Sequence, residues 1–277
     1  MTQENFESGK LILLGCGKMG SAMLKGWLAK GVNPKNIWVD DPYPSAWVMG
    51  AGVNVNEELP SKPAFICIAI KPQMISQIVP KFSRYGNGQC VFISIAAGVK
   101  ISSFEAILGP KTPIIRAMPN TPAEIGFGIT AKIANNNVSK NDNEHAEKLL
   151  SAIGEVVSLN SEGQMDAVTG LSGSGPAYVF YLIDALAAAG HKQGLEKELA
   201  MKLAKMTVLG GAKLAAEPSA VPEVLRVNVT SPNGTTEAGL KILMNSENGL
   251  GPLIEKTVAA ATARSEELLS LIHISEP

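Results

Sequence analysis

The chain has 277 residues, enough for one large domain or two of ordinary size. Hydrophobic residues make up 45% and charged residues 18%, which suits a folded soluble protein and argues against disorder. The formal net charge of −1 excludes a broad basic field for nucleic acid or an anionic membrane, although backbone amides can still bind small anions locally.

Cys16, Cys67 and Cys90 form no CxxC pair and are odd in number, so reduced, buried thiols in a cytoplasmic protein are expected. His145, His191 and His273 are far apart, so no metal site is expected. Residues 1–10 lack the charged-then-apolar pattern of a signal peptide, and no apolar run is long enough to span a bilayer.

In chain order, residues 10–14 predict a strand and 19–29 a helix ended by Gly31 and Pro34. Residues 37–39 predict a second strand. The apolar runs 64–70 and 91–95 suit parallel strands covered on both faces. Helices are expected over 73–79 and 102–108, and further strands over 114–118 and 129–134. The alternation predicts a parallel or mostly parallel α/β sheet. From about Gln164 strand signals cease. Residues 176–190 predict a helix apolar almost all round, which in a unit of about a hundred residues points to burial at a subunit interface. Further helices are expected over 195–214, 221–228, 236–244 and 252–269, with a Pro232-Asn233-Gly234 turn between two of them. The expected domains are 1–163, with the boundary near 161–166, and 164–270; residues 271–277 read as a tail without periodicity or function.

Gly15-Cys16-Gly17-Lys18-Met19-Gly20 is a GxGxxG turn between strand and helix. Gly15 suits the tight turn, Gly17 lets backbone approach a pyrophosphate, and Gly20 allows close packing of helix on strand. The helix N-terminus supplies amides and a positive dipole end. Asp40-Asp41 ends the second strand. An acidic residue there can bind a ribose 2′-hydroxyl and favour NAD over NADP, but Asp41-Pro42 is also turn chemistry, so the choice between NADPH and NADH stays open.

Five segments in order carry a family resemblance: AIKPQ at 69–73, SIAAGV at 94–99, RAMPNTP at 116–122, DAVTGLSGSGPAY at 166–178 and NVTSPNGTTEAG at 228–239. Together they resemble the pyrroline-5-carboxylate reductases, over about residues 10–269. The resemblance implies an α/β Rossmann-type N-terminal domain followed by an all-α C-terminal dimerisation domain. It implies hydride transfer from NADPH or NADH to a cyclic imino acid, giving proline. Cofactor contacts would come from Gly15, Cys16, Gly17, Lys18, Met19 and Gly20, then Asp41 and Asn56. Ala69, Ile70, Lys71 and Pro72 would follow, with Ala96, Ala97, Asn120 and Glu162. Asn228, Thr235 and Thr236 would hold the substrate, at a site between the subunits of a homodimer, with larger rings of dimers left open. The family commonly has an acidic residue where Val227 stands and glycine where Asn233 stands; Asn tolerates a left-handed backbone, so the loop shape is expected to survive.

Hydride transfer to an imine needs position and electrostatics more than a strong protein acid or base, in keeping with the absence of histidine from every motif. A Thr hydroxyl donates and accepts, so Thr236 is the candidate catalytic residue, serving the imine nitrogen. The turn at 231–235 would offer amides to the substrate carboxylate. Taken alone, Thr235-Thr236 would read as helix capping. Asn120 has a local reading as turn chemistry, Lys71 as a surface lysine, and His191 as a helix-end residue. The competing functions are another NAD(P)-dependent imine or hydroxy-acid reductase, and a non-enzymatic nicotinamide-binding regulator.

Overall fold

The structure, a computed structural model, describes residues 9–88, 90–217 and 219–274. The reading of residues 1–8 as free of a signal therefore lies outside the described residues.

Eight strands form one sheet: β1 (Leu11–Leu14), β2 (Ile37–Asp40), β3 (Asn54–Val55), β4 (Phe65–Ile68), β5 (Val91–Ser94), β6 (Ile114–Met118), β7 (Gly128–Ala134) and β8 (Gly154–Ser158). Their order is β3-β2-β1-β4-β5-β6-β7-β8. All pairings are parallel except β6 with β7. The helices among and after them are α1 (Lys18–Ala29), α2 (Ala46–Gly50), α3 (Ile75–Ile78), α4 (Ile101–Leu108), α5 (Lys140–Leu150), α6 (Met165–Val168), α7 (Gly175–Lys192), α8 (Lys197–Ala215), α9 (Pro222–Asn228), α10 (Thr235–Leu243) and α11 (Leu250–Ile274).

The apolar runs become strands because side chains alternate across a sheet covered on both faces. Leu11 and Leu13 enter one buried cluster with Met23, Leu24 and Trp27 of α1 and Leu149 of α5. Ile12 and Leu14 enter another with Phe104 and Leu108 of α4. The Trp27 indole N–H, buried under α5, donates to the Leu149 carbonyl (2.9 Å), so its polar atom is satisfied. The helix expected over 73–79 is instead 3-10 at Pro72–Met74, α at α3 and 3-10 again at Val79–Tyr85. Pro72 and Pro80 interrupt the amide ladder there.

The chain divides into two compact units. The first holds residues up to Gly173 together with those from Ala261 onward; the second is Ser174–Ala260. The expected division at 163/164 and this compact division differ by about ten residues, because non-local bonds hold the intervening turns to the first unit. The Asn120 side-chain amide donates to the Ser172 carbonyl (3.2 Å), and the Ser265 hydroxyl of α11 donates to the buried Asp166 carboxylate (2.7 Å). The expected aperiodic tail needs correction: α11 continues through Ile274, and residues 275–277 lie outside the described residues.

In the second unit, α7 and α8 pack against each other. The sequence predicted a buried apolar helix over 176–190. In the single chain much of α7 faces outward, with Phe180 60% and Tyr181 75% exposed. Among the described residues no helix is long and apolar enough to cross a membrane.

Candidate functional site

The strands β1, β2, β4, β5 and β6 run parallel, so their C-terminal ends share one sheet edge. The order reverses there between β1 and β4, and ligands of open α/β sheets bind at such switch points. Gly15 leaves β1 at φ +82°, a left-handed conformation that favours glycine. A Cβ on Gly15 would also lie 2.9 Å from the Ala69 carbonyl oxygen, so the turns after β1 and β4 are in close contact. At Gly20 a Cβ would lie 2.4 Å from the Gly15 carbonyl oxygen; only glycine lets α1 start this close to its own turn.

Gly17 differs: a Cβ there would meet open space. Gly17 is the N-cap of α1, no side chain caps that helix and no acid sits in its first turn. The first turn of α1 therefore keeps its amides free of a side-chain cap, beside exposed Gly17 and Lys18. This cradle fits a dinucleotide pyrophosphate. Cys16, by contrast, is buried, with the Ser21 hydroxyl donating to its carbonyl (2.8 Å). Burial pushes its thiol pKa up; the Ser21 hydrogen bond lowers it and the Asp41 charge raises it further. Such a thiol stays neutral and inert near pH 7.

Asp41 follows β2 and faces the glycine turn. Its Oδ2 accepts from the Cys16 amide (2.6 Å) and its Oδ1 from the Tyr43 amide (2.7 Å). The Tyr43 bond is the turn chemistry read from Asp-Pro; the Cys16 bond, across 25 positions, was not legible. Asn56, at φ +52°, holds Asp41 from the other side: its Oδ1 accepts from the Asp41 amide (3.0 Å) and its Nδ2 donates to the Asp41 carbonyl (2.8 Å).

At the end of β4, the Ala69 amide donates to the Leu14 carbonyl (2.8 Å), and Ile70 is half-buried beside Gly15. Lys71 is exposed and precedes the 3-10 turn opened by Pro72. After β5, Ala96 is buried and Ala97 exposed, ahead of α4. These residues share the edge with the glycine turn. Glu162 reaches the same region: its Oε1 accepts from the Ile101 amide at the start of α4 (2.9 Å) and from Arg116 Nη1 on β6 (2.8 Å). Arg116 is 3% exposed and was missed as a site residue; its signal is a charge inside the apolar strand IIRAM. The side chain of Asn120 is engaged at both ends, accepting from the Ile129 amide (3.0 Å) and donating to Ser172. It ties β7 to the π-helical turn Thr169–Gly173.

The candidate substrate residues lie in the second unit. Exposed Asn228 ends α9, and exposed Thr235 and Thr236 open α10. Asn233 adopts φ +57°, as expected for a residue standing in for glycine. The N-cap of α10 is Gly234 and no side chain caps it, so the alternative in which Thr235 or Thr236 caps the helix does not hold. The amides expected over 231–235 also need refinement. The Gly234 amide donates to the Ser231 carbonyl (3.0 Å) and the Asn233 amide to Glu237 Oε2, which leaves the first-turn amides of Thr235 and Thr236. At the end of α7, His191 Nδ1 donates to the Leu195 carbonyl (2.9 Å), the helix-end role read for it.

Comparison with known proteins gives a match in each half of the chain. A family model described as pyrroline-5-carboxylate reductase dimerisation matches residues 162–268, and one described as NADP oxidoreductase coenzyme F420-dependent matches residues 10–98. The chain is 38% identical to the pyrroline-5-carboxylate reductase of Pseudomonas aeruginosa, over 94% of this chain and 96% of that one. It is 36% identical to that of Methanosarcina acetivorans, over 95% and 98%. Among solved structures, a Coxiella burnetii pyrroline-5-carboxylate reductase superposes with a TM-score of 0.89 at 33% identity, covering 95% of this chain and 99% of that one. The Plasmodium falciparum pyrroline carboxylate reductase with NADP bound gives 0.82 at 28% identity, over 95% and 99%.

Proposed function

The chain belongs to the pyrroline-5-carboxylate reductase family, and we propose that it reduces 1-pyrroline-5-carboxylate to L-proline with Thr236 holding the ring nitrogen. It is an oxidoreductase acting on a C=N bond, the last step of proline biosynthesis. The reduced nicotinamide dinucleotide, NADPH or NADH, supplies the hydride when bound. The turn from Gly15 to Gly20, with the opening amides of α1, holds its pyrophosphate. Ala69, Ile70, Lys71, Pro72, Ala96 and Ala97 line its path along the sheet edge. Asp41 stands at the ribose end. Glu162, Asn56 and Asn120 fix the loops that make these contacts.

On the substrate side, the first-turn amides of α10 receive the carboxylate, and Asn228 adds a side-chain amide. The Thr236 hydroxyl donates to or accepts from the ring nitrogen, whose basicity changes as the imine becomes an amine. The observation that carries this role is the exposed position of Thr236 in the uncapped first turn of α10. No step calls for a strong protein base, because position and electrostatics suffice for hydride delivery to a protonated imine.

The active form is a homodimer, a reading supported by the outward apolar residues Phe180, Tyr181, Leu199, Leu203 and Met206 of α7 and α8 and by the dimerisation model that covers them. Assembly of dimers into a ring is compatible with it. A cytoplasmic location accords with three free cysteines. The decisive experiment follows oxidation of NADH and NADPH with pyrroline-5-carboxylate and with a panel of 2-keto acids. Turnover of the cyclic imine is expected; turnover of keto acids alone would favour a hydroxy-acid reductase, and binding without turnover a regulator.

A further inference from the structure

We infer that this chain selects NADH over NADPH, through an Asp41 carboxylate held by the Cys16 and Tyr43 amides on a backbone that Asn56 fixes beside the glycine turn. The inference rests on the nucleotide-binding role proposed above and specifies its ribose end. Asp41 follows the C-terminal end of β2, beside the turn that fits the pyrophosphate. Each of its carboxylate oxygens accepts one backbone amide, from Cys16 and Tyr43. A carboxylate oxygen has two acceptor positions, so each oxygen keeps one for an incoming donor. Two adjacent acceptors suit the two hydroxyls of a ribose diol. They repel a phosphate ester at the 2′ position, where only acceptor oxygens would face the carboxylate.

A 2′-phosphate would need a cation, and the stretch from the end of β2 through the turn after β3 supplies none. Residues 40–61 contain Asp40, Asp41, Glu57 and Glu58 but no Lys or Arg. On α1, the Lys25 ammonium lies over the Trp47 ring, 5.0 Å from its centroid. The Cys16 and Tyr43 amides hold the carboxylate, and Asn56 fixes the backbone from which it projects. Its side chain bonds both peptide groups of Asp41, and its own amide donates to the Val39 carbonyl (2.9 Å). Asn56 is thus a positioning residue acting through Asp41, at a left-handed backbone position that Gly also accepts.

The test is a fluorescence titration of the purified full chain with NADH and with NADPH, which reads binding without any substrate. NADH is expected to bind about a hundredfold more tightly, the scale of one unrelieved like-charge contact. Asp41→Ser should bring the two affinities to within about fivefold of each other, chiefly by strengthening NADPH. Asn56→Gly preserves the backbone conformation and removes the clasp; it should reduce the preference by about tenfold, chiefly by weakening NADH. Wild-type protein that binds NADPH as tightly as NADH, or an Asp41→Ser variant with an unchanged ratio, overturns the selectivity. An Asn56→Gly variant with a lowered melting temperature but an unmoved ratio overturns the positioning role. Loss of imine turnover with both nucleotides would count against the reductase reading instead, and the binding ratio would still decide this one.

Discussion

Replacing Glu162 by Ala should destabilise the first unit by breaking a buried ion pair on one side. Arg116 is 3% exposed, and its Nη1 lies 2.8 Å from Glu162 Oε1. Loss of the carboxylate leaves a guanidinium charge in the interior of the sheet, a change that typically costs 3–5 kcal/mol. Glu162 itself is 28% exposed, so water can follow the truncation and offset part of that penalty. The variant should lose about 2–3 kcal/mol, counting the bond from the Ile101 amide. For a chain of this size that corresponds to a fall of roughly 4–12 °C in melting temperature. Because a dimer melts in a concentration-dependent way, wild type and variant must be compared at one protomer concentration. The diagnostic arm is the double variant Glu162→Ala with Arg116→Met, in which the apolar side chain replaces the stranded charge. It should recover at least half of the loss, since buried ion pairs are often matched by apolar residues of similar volume. A single variant melting within about 2 °C of wild type, or a double variant less stable than the single one, would refute the reasoning.

Gly20→Ala places a Cβ 2.4 Å from the Gly15 carbonyl oxygen and should weaken binding of either nucleotide at least tenfold in titration, whereas Gly17→Ala, which enters open space, should fold normally and lose affinity only through contact with the ligand. Thr236→Ala should lower kcat/KM for the cyclic imine by roughly tenfold with nucleotide affinity unchanged; a wild-type value would remove Thr236 from the mechanism. Phe180→Glu on the outward face of α7 should shift light scattering toward monomer and reduce activity in parallel, and an active monomer would contradict the dimer proposal. Burial pushes the Cys67 and Cys90 thiols up to about 12, with Cys90 adding to the effect at Cys67, so both stay protonated in the folded chain while unfolded thiols ionise near 9. Stability from these groups is therefore complete below about pH 9 and falls between about 9 and 12, by at most ~1.4 kcal/mol per pH unit for each thiol, which denaturant titrations at pH 8 and 10.5 would detect.

What was legible in the sequence follows from how much of each element is buried. β1, β4 and β5 are covered on both faces, so every position is apolar and the run marks the strand directly. β8 is an edge strand, GEVVS, with one face open; only two of its five residues are strongly apolar, and it gave no period to detect. α5 was missed for a related reason. Its sequence KNDNEHAEKLL buries only Ala146, Leu149 and Leu150, so the apolar signal arrives in the last turn, although Ser139 caps it by accepting from the Asp142 amide.

At the site, the legible part is local and the illegible part is the pairing. The glycine turn, the turn at Asp41 and the uncapped start of α10 all depend on residues within a few positions of one another. Motif and turn chemistry therefore find them. The bonds that make these parts a site join Cys16 to Asp41, Asp41 to Asn56, and Arg116 to Glu162, across 25, 15 and 46 positions. The dinucleotide fingerprint relates the glycine turn to Asp41 by spacing, but no such rule connects Asp41 to Asn56 or Arg116 to Glu162, which the sheet order brings together. Arg116 still leaves a trace in the sequence, since a lone cation within a run predicted to be buried demands a partner. The missing half of that inference is which carboxylate answers it, and the fold selects Glu162 by carrying the chain back past α4 after the last strand. The same return explains why the compact first unit extends to Gly173. The turns after β8 are bonded to residues set far earlier in the chain and to Ser265 far later, so the change of composition near 163 and the close of the compact unit at Gly173 are separate events along the chain.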